Sequence, residues 1–402
     1  MAREKTIWSK DAYNITKKIH MPNALKVRMV KGPARVFVKG ACHVLGRNVS
    51  GQTVRVRAGK ALPFEPAGIC RLQARLGRGG RLWWADPREA GTSMWRSLVD
   101  QVFALTAVNK KNTAATTVVL VGDTDTGKST LAIYLANMAI WRGLAPSVID
   151  GDIGQGDLAP PTAIGAAVLS KQVVDLRDVD VNNTNLFEFI GSVSPAGFEN
   201  LIAKKLRFML DRTRSLADIC IVNTDGYIRN GGVQYKEMIA EELQPDAVIC
   251  LGVDVNNDDG LFDGEEHMVG SWQILRARSS SQTYKSRLER LNRRLDQFLR
   301  YVGNGASVAN LSQVKFNYMN KLFSPSELIH PPIKQLEQEN MKGMFVGLGS
   351  NKIVTGFGFI KNINAGNNGG NIHIQTNISS FDTIYLSNIR LSSDRITEIW
   401  IT

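Results

Sequence analysis

The stretch TTVVLVGDTDTGKST, residues 116–130, constrains the fold more than any other part of the chain. TTVVLV is an uninterrupted run that reads as a strand buried on both faces. It leads into G-x-x-x-x-G-K-S, from Gly122 to Ser129. STLAIYLANMAIW follows with helical spacing and ends near Gly143, with Pro146 beyond. A strand, a glycine turn and a helix in this order predict a parallel sheet covered by helices.

The turn has its own chemistry. Gly122 and Gly127 let the backbone bend tightly and approach an anion without a Cβ clash. Asp123, Thr124, Asp125 and Thr126 supply the amides between them, and the amides of the helix start point the same way. Lys128 brings a positive charge to β- and γ-phosphates. Ser129 is placed to ligate Mg²⁺, with Thr130 behind it. The expected ligand is a nucleoside triphosphate, ATP or alternatively GTP, in a P-loop NTPase fold.

The rest of the chain divides around this centre. Residues 1–100 carry short glycine-broken β runs such as ARVFVKG and TVRVRAG, which predict a small antiparallel domain. Residues 101–305 carry the β–α alternation, with strands expected at APSVIDGD, ADICIVNTDG and DAVICLGVD. Residues 306–402 return to β patterning, including GMFVGLGS and VTGFGFIKNI. The fold class is α/β, with the central sheet flanked by N-terminal and C-terminal small β domains.

Two further clusters bear on function. VIDGDIGQGD sets Asp150, Asp152, Gln155 and Asp157 just past a strand. Asp150 and Asp152 lie two apart on an extended end and so point different ways, which allows one to serve a metal and the other to accept a proton. Between Arg276 and Arg300 the chain is strongly basic, and this segment is either a solvated face or a lid whose cations close over phosphates. The formal net charge of +12 favours a polyanionic partner. Cys42, Cys70, Cys220 and Cys250 form no CxxC pair and read as core residues in a reducing, cytoplasmic setting. The first residues lack the apolar stretch of a signal peptide, and no window approaches a membrane span.

Together these pieces resemble the polynucleotide 5′-hydroxyl kinases, a family that includes the kinase subunit of the pre-mRNA cleavage complex, the nucleolar pre-rRNA-processing kinase and archaeal RNA/DNA kinases. The resemblance rests on the loop with an acidic residue inside it, DGDIGQ, GSVSP at 191–195, NTDGYIRNGG at 223–232 and the Arg-rich segment, in that order. It extends to the flanking β runs.

The resemblance implies transfer of the γ-phosphate of ATP to the 5′-OH end of RNA, with single-stranded DNA as an alternative acceptor. It implies roles for Lys128 and Ser129 at the phosphates and Mg²⁺, for Asp152 in activating the hydroxyl and for Asp150 in support of the metal. Gln155, Ser194 and Pro195 would face the acceptor strand. Tyr227 stands where the family usually has a tryptophan that clamps a base, and Val193 stands where a hydroxyl is common. The family's lid spacing is altered here; Arg278 and Lys285 form the first candidate pair, with Arg287 and Arg290 next. RNA-processing protein partners are also implied. The rival readings are an ATP-binding scaffold subunit without transfer, a P-loop NTPase switch and a small-molecule kinase.

Overall fold

The computed structural model describes residues 15–21, 26–111, 114–180, 186–252, 272–279, 284–318, 321–323, 341–350, 353–366, 369–392 and 395–398. Three sheets follow one another along the chain.

The first sheet comprises β1 (Ile15–Met21), β2 (Val27–Lys31), β3 (Ala34–Val44), β4 (Arg47–Asn48), β5 (Thr53–Val56), β6 (Ala61–Leu76) and β7 (Arg81–Ala85). Its strands pair antiparallel, and the 16-residue β6 serves both β2 and β3. β3 alternates strictly over its first half: Ala34, Val36 and Val38 are buried, whereas Arg35, Phe37 and Lys39 are exposed. This period of two gives the sheet one dry face and one wet face. Short α1 (Pro87–Ala90) and α2 (Arg96–Lys111) lead to the central sheet.

The second sheet comprises β8 (Thr116–Gly122), β9 (Pro146–Asp150), β10 (Ala163–Val168), β11 (Leu186–Phe189), β12 (Ile219–Asn223), β13 (Ala247–Leu251) and β14 (Gln273–Ala277). Their order is β11-β10-β9-β12-β8-β13-β14. Every residue of β8, β9, β12 and β13 is buried, as strands covered on both faces require. α3 (Lys128–Trp141) covers one face, and α4 (Glu199–Arg214) and α5 (Gly232–Leu243) cover the other.

The sheet is parallel from β9 to β14, but β10 and β11 run antiparallel to their neighbours. The expected parallel sheet is thus present at the centre and becomes mixed at this edge. The chain leaving β9 turns back through residues 151–162 without a crossover helix, so the next strand must run the opposite way.

The first sheet packs on the α3 side. Asn137, fully buried in α3, donates to Leu45 O and Val173 O, both at 2.7 Å, and fixes a loop of the first sheet to the helix. α6 (Arg287–Val302) follows β14 and opens with a reciprocal cap: Glu289 N donates to Ser286 Oγ, and Ser286 N donates to Glu289 Oε2. Arg276, expected in the same basic arm, instead lies in β14.

The third sheet comprises β15 (Ala306–Asn310), β16 (Lys315–Tyr318), β17 (Lys321–Phe323), β18 (Met344–Ser350), β19 (Ile353–Gly366), β20 (Gly369–Gln375), β21 (Thr383–Ser392) and β22 (Arg395–Glu398). It grips β11 and α6 through aromatic rings. Phe298 and Phe345 lie 4.6 Å apart, and Phe187 and Phe357 lie 5.1 Å apart. The C-terminal sheet thus holds the base of α6 against the antiparallel edge of the central sheet.

Candidate active site

A cavity of about 420 Å³ lies where the first sheet, the central sheet and α6 converge. One wall carries Thr124, Asp125 and Gly127–Thr130. Another carries Asp152, Gln155, Pro195, Asp225 and Tyr227. A third carries Lys285, Arg290, Arg293 and Arg294, and the first sheet with its exit loop adds Lys60, Leu62 and Trp95. The cavity therefore pairs a polar end with an apolar one.

The glycine loop takes the shape its chemistry demands. Gly122 and Gly127 have φ values of 149° and 103°, in the region that favours glycine. A Cβ on Gly226 would sit 2.3 Å from Thr124 Oγ1, so the glycine lets the 224–227 loop close over the first loop. Lys128 Nζ donates to Gly122 O at 2.8 Å and Asp123 O at 2.7 Å. Burial and then nearby Lys236 pull its ammonium down to about 8, against the attraction of Asp152, Asp225 and Asp123.

The carboxylates divide as β9 ends. Asp150 is buried behind the cavity wall: Asp157 N donates to its Oδ2 at 2.6 Å, and Asn223 Nδ2 donates to its Oδ1 at 2.9 Å. Burial, then Asp157, pushes its carboxyl up to about 6. The same Asn223 Nδ2 lies 3.2 Å from Ser129 Oγ. Ser129 and Asp150 thus flank a single amide nitrogen. Asp152 faces the cavity; Gly154 N and Gln155 N donate to its Oδ1 at 3.1 and 2.8 Å. Burial and neighbouring Asp225 raise its carboxyl above the usual range.

Asp125, inside the loop, binds the basic arm. It accepts from Lys285 N at 3.0 Å, from Lys285 Nζ, and from Arg290 Nη2 at 2.7 Å. Its side chain is 3% exposed. Arg293 reaches Asp157 at 2.7 Å, and Arg294 Nε donates to Gly154 O at 3.0 Å.

The structure gathers Thr124, Asp125, Gly127, Lys128, Ser129, Thr130, Asp152, Gln155, Pro195, Tyr227, Lys285 and Arg290 around one cavity. Gly122, Asp123, Thr126 and Asp150 support it from behind or beside. Ser194 lies next to the lining, its N–H bonded to Ser192 Oγ at 3.1 Å. Arg278 and Arg287 fall outside the wall. Arg278 directly follows β14, is exposed, and accepts from Trp95 Nε1 through its carbonyl. Arg287 opens α6 between the lining residues Lys285 and Arg290 but is itself exposed. The basic arm is a strand end and a separate helix, so Lys285, Arg290, Arg293 and Arg294 take the inward positions.

Sequence reasoning passed over Asp225 and Lys236. Asp225 lines the cavity, and its Oδ1 lies 2.8 Å from Nζ of the fully buried Lys236. Tyr235 Oη donates to Asp225 Oδ2 at 3.0 Å. The only signal available was a lysine among the apolar positions of α5. Lys60 was also missed; it bridges Asp157 and Asp175 at 2.7 and 2.8 Å.

Residues 122–304 match the family model described as mRNA cleavage and polyadenylation factor CLP1 P-loop. The P-loop segment of this chain is similar to the CLP1 P-loop family. The chain is 29% identical over 231 residues to a polyribonucleotide 5′-hydroxyl-kinase of Pyrococcus horikoshii, covering 57% of this chain and 60% of that one. It is 33% identical over 141 residues to the corresponding protein of Methanocaldococcus jannaschii, covering 33% and 36%. It is 27% identical over 221 residues to Xenopus tropicalis polyribonucleotide 5′-hydroxyl-kinase Clp1, covering 52% and 50%. The matched segment thus spans 60% of the first of these relatives and less of the others. A solved Clp1p in complex with Pcf11p shares the fold, with a TM-score of 0.70 and 12% identity over 94% of this chain and 99% of that one.

Proposed function

We propose that this chain is an ATP-dependent polynucleotide 5′-hydroxyl kinase acting on RNA, with single-stranded DNA as an alternative acceptor. The observation that carries this reading is the convergence of Lys128 and Asp152 on one cavity. One residue belongs to a triphosphate cradle, and the other is a carboxylate with raised proton affinity. The apolar wall of Leu62, Trp95 and Ile133 suits the nucleobase of the donor, and the Gln155, Pro195 and Tyr227 side suits the acceptor end.

In this reading the acceptor hydroxyl lies against Asp152. Gly154 and Gln155 amides hold Oδ1, and Oδ2 takes the proton. The freed oxygen attacks the γ-phosphorus in line. The bond to the bridging β,γ-oxygen breaks, ADP leaves, and a 5′-phosphate end results. Lys128, released from Gly122 O and Asp123 O, follows the charge on the transferring group, and Lys285 or Arg290 covers it from the arm.

Ser129 Oγ and Asp150 Oδ1 suit Mg²⁺, which takes few protein oxygens and keeps waters and phosphate oxygens. When bound, the ion supplies neutralisation of phosphate charge.

RNA-processing protein partners fit the same reading, since the related Clp1p is held by Pcf11p. The four buried free cysteines fit a reducing compartment such as the cytoplasm. Among the described residues no helix is long and apolar enough to cross a membrane.

The test is one incubation of purified protein with γ-labelled ATP, Mg²⁺ and oligonucleotides bearing 5′-OH or 5′-phosphate ends. Label is expected only on 5′-OH ends and is expected to vanish in Lys128→Ala. ATP turnover indifferent to the ends would overturn the reading in favour of an NTPase switch.

A further inference from the structure

The wet face of the first sheet carries an ordered array that the active site does not use. Across β1, β6, β3 and β5, one row of paired residues reads Thr16, Arg75, Arg35, Arg55. The next row reads Lys18, Gln73, Phe37, Thr53, and the third reads His20, Arg71, Lys39. All are exposed except Gln73, which is half-buried. Phe37 lies at the centre and is 43% exposed.

No carboxylate occupies these rows. Glu65, on the other half of β6, is half-buried and committed to Thr92 N at 2.7 Å and Thr92 Oγ1 at 2.9 Å.

Like charges directly opposite on neighbouring strands destabilise a sheet. Here Arg75, Arg35 and Arg55 stand abreast on three adjacent strands, and Arg71 faces Lys39. Neighbouring strands lie about 4.8 Å apart and alternate residues of one strand about 6.8 Å apart, so the cations form a closely spaced lattice. Such a lattice is stabilised by a polyanion with several charges along its length. An exposed aromatic ring among cations is the arrangement on which bases of a single strand stack.

The face also adjoins the candidate active site. Arg55 attracts Asp296 of α6, the helix whose Arg290, Arg293 and Arg294 line the cavity. At the opposite end of α6, Lys31 of β2 pairs with Glu289 at 2.8 Å.

We propose that the wet face of the first sheet binds the body of a single-stranded polynucleotide, away from its reacting end. Cations of the Arg75–Arg35–Arg55 and Arg71–Lys39 rows contact phosphates, and Phe37 stacks on a base. The proposal extends the kinase reading by giving the acceptor a second contact region, but the surface itself is tested without catalysis.

The experiment measures binding of a 5′-phosphorylated single-stranded RNA of about 16 nucleotides, without ATP, by fluorescence anisotropy over a range of salt concentrations. Compared are the wild type, Arg35→Gln/Arg55→Gln/Arg75→Gln and Phe37→Ala. The triple variant is expected to bind more weakly, with a log–log salt slope shallower by about 2, roughly 0.7 for each phosphate that is no longer neutralised. Phe37→Ala is expected to bind about tenfold more weakly at unchanged slope.

Labelling of a 5′-OH dinucleotide is expected to match the wild type in all variants. Failure of the kinase reading would appear as no labelling by the wild type, and leaves the binding measurement intact. Variants that bind RNA with wild-type affinity and salt slope overturn the proposal. So does a face that retains polyglutamate but not RNA at equal ionic strength, which would assign it to an acidic protein.

Discussion

Arg290 Nη2 on α6 lies 2.7 Å from Asp125 Oδ2 in the glycine loop. The contact joins residues 165 positions apart and ties the basic arm to the cradle. Burial alone would raise the Asp125 carboxyl, but Lys285 and Arg290 together hold the group below the usual range, so the carboxylate is charged. In the proposed kinase reading, Asp125 is the dock from which Lys285 and Arg290 would reach the transferring phosphate. Asp125→Asn is expected to lower kcat about 10- to 100-fold, as misplacement of a catalytic cation does. Nucleotide affinity, measured by titration with a fluorescent analogue, should change less. An unchanged kcat would show that the arm needs no dock.

In the proposed mechanism Asp152 serves transfer and not nucleotide binding. Asp152→Asn keeps the acceptor for the amides of Gly154 and Gln155, so the turn is expected to survive. Transfer to a 5′-OH oligonucleotide should fall about 10²- to 10⁴-fold, with ATP affinity retained. Loss of ATP affinity instead would assign the carboxylate to metal binding.

The buried pair of Asp225 and Lys236 predicts strong non-additivity. Lys236→Met leaves a buried carboxylate without its cation and is expected to cost about 3 to 5 kcal/mol in urea unfolding. Adding Asp225→Asn should restore much of that stability, because both charges are then gone. Additive effects in the double variant would mean that the two side chains do not act as a pair.

Stability towards acid follows from Asp175. Burial pushes its carboxyl up, but Lys60, Arg177 and Arg57 hold it well below the usual range. A depressed folded-state value gives stability that is present above the unfolded value, about 3.9, and is lost as pH falls towards the folded one. Lys60→Met weakens this hold, so its unfolding midpoint in urea is expected to decline at a higher pH than that of the wild type. Parallel curves from pH about 7 to about 3 would refute the assignment.

Much of the centre was legible in the sequence because it is local. GDTDTGKST is a strand–turn–helix whose phosphate chemistry is fixed by adjacent backbone, and DGDIGQGD is a turn closed by its own side chains. The reversed edge of the central sheet was not legible. Strand direction depends on where the chain is sent after β9, and AIGAAV reads the same either way. The arm was legible as basic but not as to which cations turn inward. That depends on where α6 begins and on what the third sheet holds against Phe298.

The sequence by itself determined the cradle, its neighbouring carboxylates and a strongly basic arm, because backbone sterics and short-range hydrogen bonds need only nearby residues. Only the tertiary structure decided which charges meet. Lys60 from the first sheet, Asp157 from the turn and Arg293 from α6 converge, and Lys236 finds Asp225 across a loop. Buried charges select partners through low local dielectric and three-dimensional proximity, and neither leaves a periodic trace along the chain.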